Sequence, residues 1–149
     1  MNTPPPSLKG RALRLLSTRE HSRAELERKL ATHEEEPGTL AKALDELQAR
    51  GFISDQRVIE SVVHRRSANM GALRVRQELQ AKGLDKEAVS QAVAELQASE
   101  LDRARAVWQK KFGEAPEDAS ARAKQMRFLA ARGFGADTIR RVVAGASED

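Results

Sequence analysis

The feature that most limits what this chain can fold into is an internal repeat. Leu30, Leu79 and Leu129 stand about 50 residues apart. Ten positions after each comes a second apolar residue, Leu40, Val89 or Ile139. Thirteen and fourteen positions after it come Ala43 and Leu44, Ala92 and Val93, or Val142 and Val143. Offsets of 10, 13 and 14 share one face of an α-helix, so three segments carry the same apolar stripe in the same register. A period of this length belongs to chains of similar units stacked on their neighbours. β-branched residues are few and strict alternation is absent, which removes a sheet. The expected fold is all-α: three tandem three-helix repeats over residues 8–54, 55–98 and 99–146, forming an elongated, curved molecule. Residues 1–7, with Pro4, Pro5 and Pro6, read as a disordered lead. The small, acidic end from residue 145 is expected to fray, leaving 147–149 as a tail.

Local signals agree with short helices and tight turns. Ser22 and Glu25 have capping-box spacing, so a helix is predicted from Arg23. Pro37, Gly38 and Thr39 break the chain before Leu40. Arg50-Gly51-Phe52, Lys82-Gly83-Leu84 and Arg132-Gly133-Phe134 share a design in which glycine takes the left-handed position after a helix and the next apolar residue folds back. The basic residue before each glycine suits the negative end of the helix dipole. Asp85 is the expected N-cap of the helix carrying Val89 and Val93. The only aromatic residues are Phe52, Trp108, Phe112, Phe128 and Phe134. The core is therefore mostly Leu, Val, Ala and Ile, and Phe52, Phe128 and Phe134 are expected to pack against their turns rather than stack on bases.

Composition narrows the function. No cysteine is present, which removes disulfides, thiol nucleophiles and cysteine-based metal sites and fits a reducing cytoplasm. No apolar run approaches the ~18 residues of a membrane span, and the start lacks the apolar core of a signal peptide. A cytoplasmic protein is expected. His21, His33 and His64 lack metal-ligand spacing, and no phosphate-binding glycine loop, nucleophile elbow or H-E-x-x-H motif occurs. Glu34-Glu35-Glu36 reads as a solvated turn. No enzyme, cofactor or metal is expected.

The basic residues are the informative class. The chain has 26 basic and 22 acidic residues, a formal charge of +4 and an isoelectric point near 9.8, which suits a polyanionic partner. Residues 98–149 hold ten basic and eight acidic groups, two of the acids in the tail. Arg122, Lys124, Arg127, Arg132, Arg140 and Arg141 interleave there with Met126, Leu129, Ile139 and Val142. In the middle unit His64, Arg65 and Arg66 end one helix, and Arg74, Arg76 and Lys82 lie on the next, with Arg74 spaced to pair with Glu78. Arginine strongly outnumbers lysine, and its fork suits phosphate or carboxylate. Nucleic acid and an acidic protein groove fit this set equally well.

The residues also resemble a known family. Ser22-Arg23-Ala24-Glu25-Leu26-Glu27-Arg28-Lys29-Leu30, followed by Gly51-Phe52-Ile53-Ser54-Asp55-Gln56-Arg57, is similar to the first unit of the RecX family. Gly71-Ala72-Leu73-Arg74-Val75-Arg76-Gln77-Glu78-Leu79-Gln80-Ala81-Lys82-Gly83-Leu84 resembles its G-x-x-x-[IV]-x-x-E-L-x-x-K-G pattern. Lys124-Gln125-Met126-Arg127-Phe128-Leu129-Ala130-Ala131-Arg132-Gly133-Phe134 resembles its K-x-x-x-F-L-x-x-R-G-F segment. The likeness spans about residues 10–144 in the family's order. Where the family carries aromatics after Asp-x-Arg this chain has Val58, Ile59, Val62 and Val63, and His21 stands where arginine is common. These look like core and surface variations respectively.

The resemblance implies a non-enzymatic regulator of RecA recombinase. Such a protein binds the RecA filament on single-stranded DNA and modulates, chiefly inhibits, ATP hydrolysis, strand exchange and co-protease activity in recombination, DNA repair and the SOS response. It implies a monomer with no cofactor and no membrane partner, and leaves room for weak direct DNA binding. Charge and motif position select Arg65, Arg66, Arg74, Arg76, Lys82, Lys124, Arg127, Arg132, Arg140 and Arg141 as contacts. Two other readings fit the helices. Residues 22–54 have the outline of a helix-turn-helix DNA-binding regulator, although the segment from Leu40 to Arg50 offers only Lys42 and Arg50 against Asp45 and Glu46. A helical-repeat adaptor with another protein partner is the second.

Overall fold

A computed structural model of the chain describes residues 4–148, with side chains through residue 146. Nine α-helices make up the described residues, with no strand among them. The first unit holds α1 (Leu8–Thr18), α2 (Arg23–Leu30) and α3 (Thr39–Ala49); the second α4 (Asp55–Arg66), α5 (Ala72–Ala81) and α6 (Lys86–Ala98). The third holds α7 (Glu100–Lys111), α8 (Ala119–Ala131) and α9 (Ala136–Glu148). Of the lead, residues 1–3 lie outside the described residues and Pro4, Pro5 and Pro6 are exposed and outside any helix. At the other end α9 is helical through Glu148, and Asp149 lies outside the described residues.

Helices of this length are marginal alone, so caps and tertiary burial set their limits. The Ser22 capping box forms in both directions: its hydroxyl accepts from Glu25 N–H, and the Glu25 carboxylate accepts from Ser22 N–H. Asp85 caps α6 through Ala88 N–H and Asp118 caps α8 through Ala121 N–H. Glu34 half-leaves the solvated turn to accept from Leu40 N–H at 2.9 Å. Gly51, Gly83 and Gly133 all take the left-handed conformation. The turn after α2 departs from the repeat, because a 3-10 turn (Ala31–His33) follows Leu30 where α5 and α8 run into their glycines. The glycine turn of the first unit comes one helix later, after α3.

The repeat anchors are core residues. Leu79 and Leu129 are fully buried, and Leu44, Val93 and Val143 occupy the matching place on the third helix of each unit. Each unit closes its own core: Leu26, Leu44 and Leu47 in the first, Val62, Val75 and Leu79 in the second, Trp108, Leu129 and Phe134 in the third. Val58, Ile59 and Val62 are buried and Val63 half-buried, so the residues that replace aromatics do form core. His21 is buried as well, at 1% exposure, which corrects its reading as a surface variation. Its ring sits between Arg19 O (3.0 Å from Nδ1) and Lys29 Nζ (3.1 Å from Nε2), so position 21 plugs the bend between α1 and α2.

The second helices of the three units meet end to end. At the first joint Ser22 Oγ donates to Lys82 O (2.5 Å), Arg28 Nη2 donates to Ala81 O (3.2 Å) and Lys82 Nζ lies 3.5 Å from Glu25. Carbonyls left over at the C-terminus of α5 are thus taken up by α2, one at its N-cap Ser22 and one by Arg28 of its last turn. At the second joint Gly71 N–H donates to Arg132 O (2.7 Å) and Leu73 N–H to Gly133 O (3.2 Å), so the end of α8 is taken up at the start of α5. A Cβ on Gly133 would fall 2.4 Å from Arg74 Cβ, and one on Gly71 2.4 Å from Gly133 O. The three dipoles therefore run head to tail, negative end against positive end. A compact monomer of this mass exposes about 7,500 Å², whereas this chain exposes 9655 Å². It is elongated: three small cores in a row instead of one.

Candidate partner-binding face

The ten residues selected from the sequence do not form one patch. Arg65 and Arg66, at the end of α4, reach across to Glu78 of α5, at 4.0 and 3.3 Å. Glu78 is therefore the partner of these two and not of Arg74, as helical spacing alone suggests. Arg74 instead lines an open cleft of about 320 Å³ with Arg66, Met70, Gln77 and Glu78. Arg76 lies by a second open cleft with Gln80, Leu84 and Lys86. Lys82, largely covered, belongs to the first joint through Glu25. Arg132 lies over the Phe128 ring at 5.0 Å, with Lys111 at 5.5 Å from the same ring and Phe112 edge-on to it. Arg140 pairs loosely with Asp137 at 3.5 Å. Lys124, Arg127 and Arg141 are exposed.

Pairing divides the cations unevenly along the chain. In the first unit Lys9 meets Glu46, Arg19 meets Glu25, and Arg23 meets both Glu27 and Asp45; Arg57, at the start of α4, meets Glu20. In the third unit Arg140–Asp137 is the only ion pair among the described residues. Arg105, Lys110, Lys111, Arg122, Lys124, Arg127 and Arg141 are exposed there with no carboxylate of the described residues within 4.0 Å. Arg14, Arg28, Lys29, Lys42 and Arg50 of the first unit are likewise exposed without a carboxylate partner among the described residues, but such cations are most numerous on the outer faces of α7, α8 and α9. Such a face attracts polyanions through long-range potential and, on contact, through the arginine fork. By contrast α3, the would-be recognition helix, spends its acids on internal pairs and offers Lys42 and Arg50.

Several consequential residues carry no local sequence signal. Glu100 is buried at 8% exposure, where it accepts from Ala72 N–H (2.8 Å) and from Thr138 Oγ1 (3.1 Å), capping α5 from another unit. Arg103 donates to Met70 O (2.7 Å), Leu96 O (2.8 Å) and Ser67 O (2.9 Å). Burial lowers its pKa, with the Glu100 charge opposing; a guanidinium remains charged regardless. Trp108 donates to Gln125 Oε1 (2.8 Å), which makes position 125 a polar member of the third core. Phe134 is buried and Phe128 half-buried, but Phe52 is 43% exposed. Its expected place in the core goes to Ile53, at 2%.

Three groups whose pKa departs from the ordinary value, His21, Arg23 and Glu25, lie together at the start of α2. Burial pushes the Glu25 carboxyl up, but hydrogen bonds from Arg19 and Ser22 N–H and the charges of Lys82 and Arg19 outweigh it and hold it at about 2. Burial lowers the His21 pKa; the Arg19 carbonyl opposes this, and the charges of Arg19 and Lys29 reinforce it. Both groups are structural, since their partners belong to the bend and the first joint. Among the described residues no three His, Asp or Glu side chains converge as a metal site, and no helix is long and apolar enough to cross a membrane.

Comparison with known proteins accounts for nearly the whole length. The family models for the first, second and third three-helix domains of RecX match residues 9–47, 54–93 and 98–143, in that order. The chain is 51% identical over 142 residues to the regulatory protein RecX of Leptothrix cholodnii, covering 95% of this chain and 90% of that one. It is 49% identical to the regulatory protein RecX of Ralstonia nicotianae, covering 95% and 89%. Among solved structures it is similar in fold to RecX from Lactobacillus salivarius, with a TM-score of 0.79 at 20% identity over 95% of this chain and 96% of that one. With each of the three domain types matched in register on a unit that closes its own core, the chain belongs to the RecX family.

Proposed function

We propose that this chain is a non-enzymatic, cytoplasmic regulator of RecA recombinase. It acts chiefly on the RecA filament on single-stranded DNA, as a monomer, inhibiting ATP hydrolysis, strand exchange and co-protease activity in recombination, repair and the SOS response. The observation that carries the reading is the row of three joined units in the order of a family of regulatory proteins. An elongated row fits a partner that itself repeats along an axis better than it fits a small substrate, and the clefts here are open and shallow. The contact set proposed remains Arg65, Arg66, Arg74, Arg76, Lys82, Lys124, Arg127, Arg132, Arg140 and Arg141. The unpaired members on the third unit lead it, because ion pairs within the chain do not compete for them.

The test is ATP hydrolysis by the cognate RecA on single-stranded DNA, titrated with this chain. Inhibition at well below one chain per RecA is the expected result. Hydrolysis unchanged across the titration would sink the reading and return the adaptor, with some other protein partner, to first place.

A further inference from the structure

Phe52 is the aromatic ring that the three cores do not take. Trp108 and Phe134 are buried, and Phe112 and Phe128 pack against the third core. Phe52 stays exposed on a turn that is firmly made: its N–H donates to Leu47 O (2.9 Å) and Gly51 N–H donates to Gln48 O (3.0 Å), the two bonds of a Schellman motif. Arg57 pins the same turn, donating through Nη2 to Gly51 O (2.6 Å) and through Nε to Glu20 (2.9 Å). The Arg50 guanidinium lies over the ring, 5.8 Å from its centroid. The backbone that carries ring and cation is thus fixed before any partner arrives.

The surroundings decide what partner fits. The other exposed large apolar residue among the described ones, Leu73, belongs to the second joint, so no second exposed large apolar residue of the first unit accompanies Phe52. A protein interface core needs several hundred Å² of contiguous apolar surface. A single ring with a cation at its face suits something flat, of one ring's area, and attached to an anion. An unpaired nucleobase and its phosphate have that form. We infer that Phe52 and Arg50 form a stacking site for an unpaired base of single-stranded nucleic acid. Phe52 meets the base face, and Arg50 meets ring and phosphate together. This goes beyond the proposed function and does not depend on a recombinase partner.

The experiment therefore uses the full chain without recombinase. Binding is measured by fluorescence anisotropy to a labelled oligo(dT) strand and to an abasic strand of the same length, which carries the same phosphates and no bases. The intact chain is expected to prefer oligo(dT). Phe52→Ala should weaken oligo(dT) binding by about fivefold or more, the effect of losing one stacked base, and leave the abasic strand unchanged. Phe52→Trp should retain the preference. Because the ring is exposed, unchanged helical circular dichroism is expected for both variants. Equal affinity of the intact chain for the two strands, no binding to either, or a preference that survives Phe52→Ala would each overturn the proposal. Inhibition of RecA hydrolysis by Phe52→Ala at wild-type strength would leave the proposed function standing whichever way the DNA assay falls.

Discussion

Glu25 stays ionised while buried because hydrogen bonds and two cations offset its desolvation, so its folded pKa of about 2 lies below its ordinary value of 4.5. A depressed carboxyl contributes stability that is complete above the ordinary value and lost as pH falls toward the folded one. His21 acts in the same sense by another route: its lowered pKa means that the unfolded chain takes up a proton more readily below 6.5, so stability declines with pH from there. Acid should thus loosen the start of α2 in two stages. Thermal melts across pH are expected to show a first decline below about 6.5, removed by His21→Gln, and a second between 4.5 and about 2, removed by Glu25→Gln. At neutral pH Glu25→Gln should cost about 2 kcal/mol, as charged hydrogen bonds to Arg19 and Ser22 N–H are lost. A flat melting temperature from pH 7 to 3 would contradict both assignments. Residues that cap their own helix, Ser22 and Asp85, were legible because cap and N–H lie three positions apart. His21, Glu100 and Arg103 were not, because their burial depends on packing and, for the last two, on partners 28 and 36 positions distant.

The helices themselves were nearly all readable, since periodicity and glycine punctuation are properties of ten-residue stretches. What periodicity does not decide is which of two adjacent apolar residues turns inward after a glycine. At Phe52-Ile53 the branched residue does, and at Phe134 the ring does. The same three-residue turn also serves different ends. Gly51 has nothing within 4 Å of a would-be Cβ, whereas Gly133, at φ +87°, faces Arg74 backbone and Cβ at 2.4–2.9 Å. Gly51→Ala should therefore cost only about 1–2 kcal/mol, the strain of a left-handed alanine. Gly133→Ala should cost distinctly more and open the second joint. Hydrogen exchange at Gly71 and Leu73 N–H, whose acceptors lie in that turn, would report the opening. Equal losses of stability for the two variants would mean that the close approach does not matter.

At the scale of the molecule the repeat announced a row of units, and the sequence-based count of basic residues suggested a patch spread over the second and third. Counting could not show pairing. Lys9, Arg19 and Arg23 of the first unit find carboxylates through contacts such as Arg23 with Asp45, 22 positions apart, whereas on the third only Arg140 does among the described residues. Reversal of Lys124, Arg127 and Arg141 to glutamate is accordingly expected to abolish inhibition of RecA hydrolysis with helical content unchanged. Reversal of Lys42 and Arg28, on the first unit, should have a smaller effect. Association should weaken with added salt, more steeply for the intact chain than for the third-unit variant. If the two variants lose inhibition equally, the uneven pairing of charge has no bearing on the partner.

The end-to-end stacking of α8, α5 and α2 has a consequence for copies of the chain. A contact that joins the start of one helix to the end of the next is heterologous, and heterologous contacts that do not close on themselves grow into fibres. Here the two outer ends do not match. The end of α2 runs into the Ala31–His33 turn and not into a left-handed glycine, so it lacks the turn on which the starts of α2 and α5 dock. The irregular stretch after Leu30, which looks like a flaw in the repeat, is therefore expected to deny a second copy the docking surface that the ends of α5 and α8 present, and light scattering at high concentration should detect no fibres.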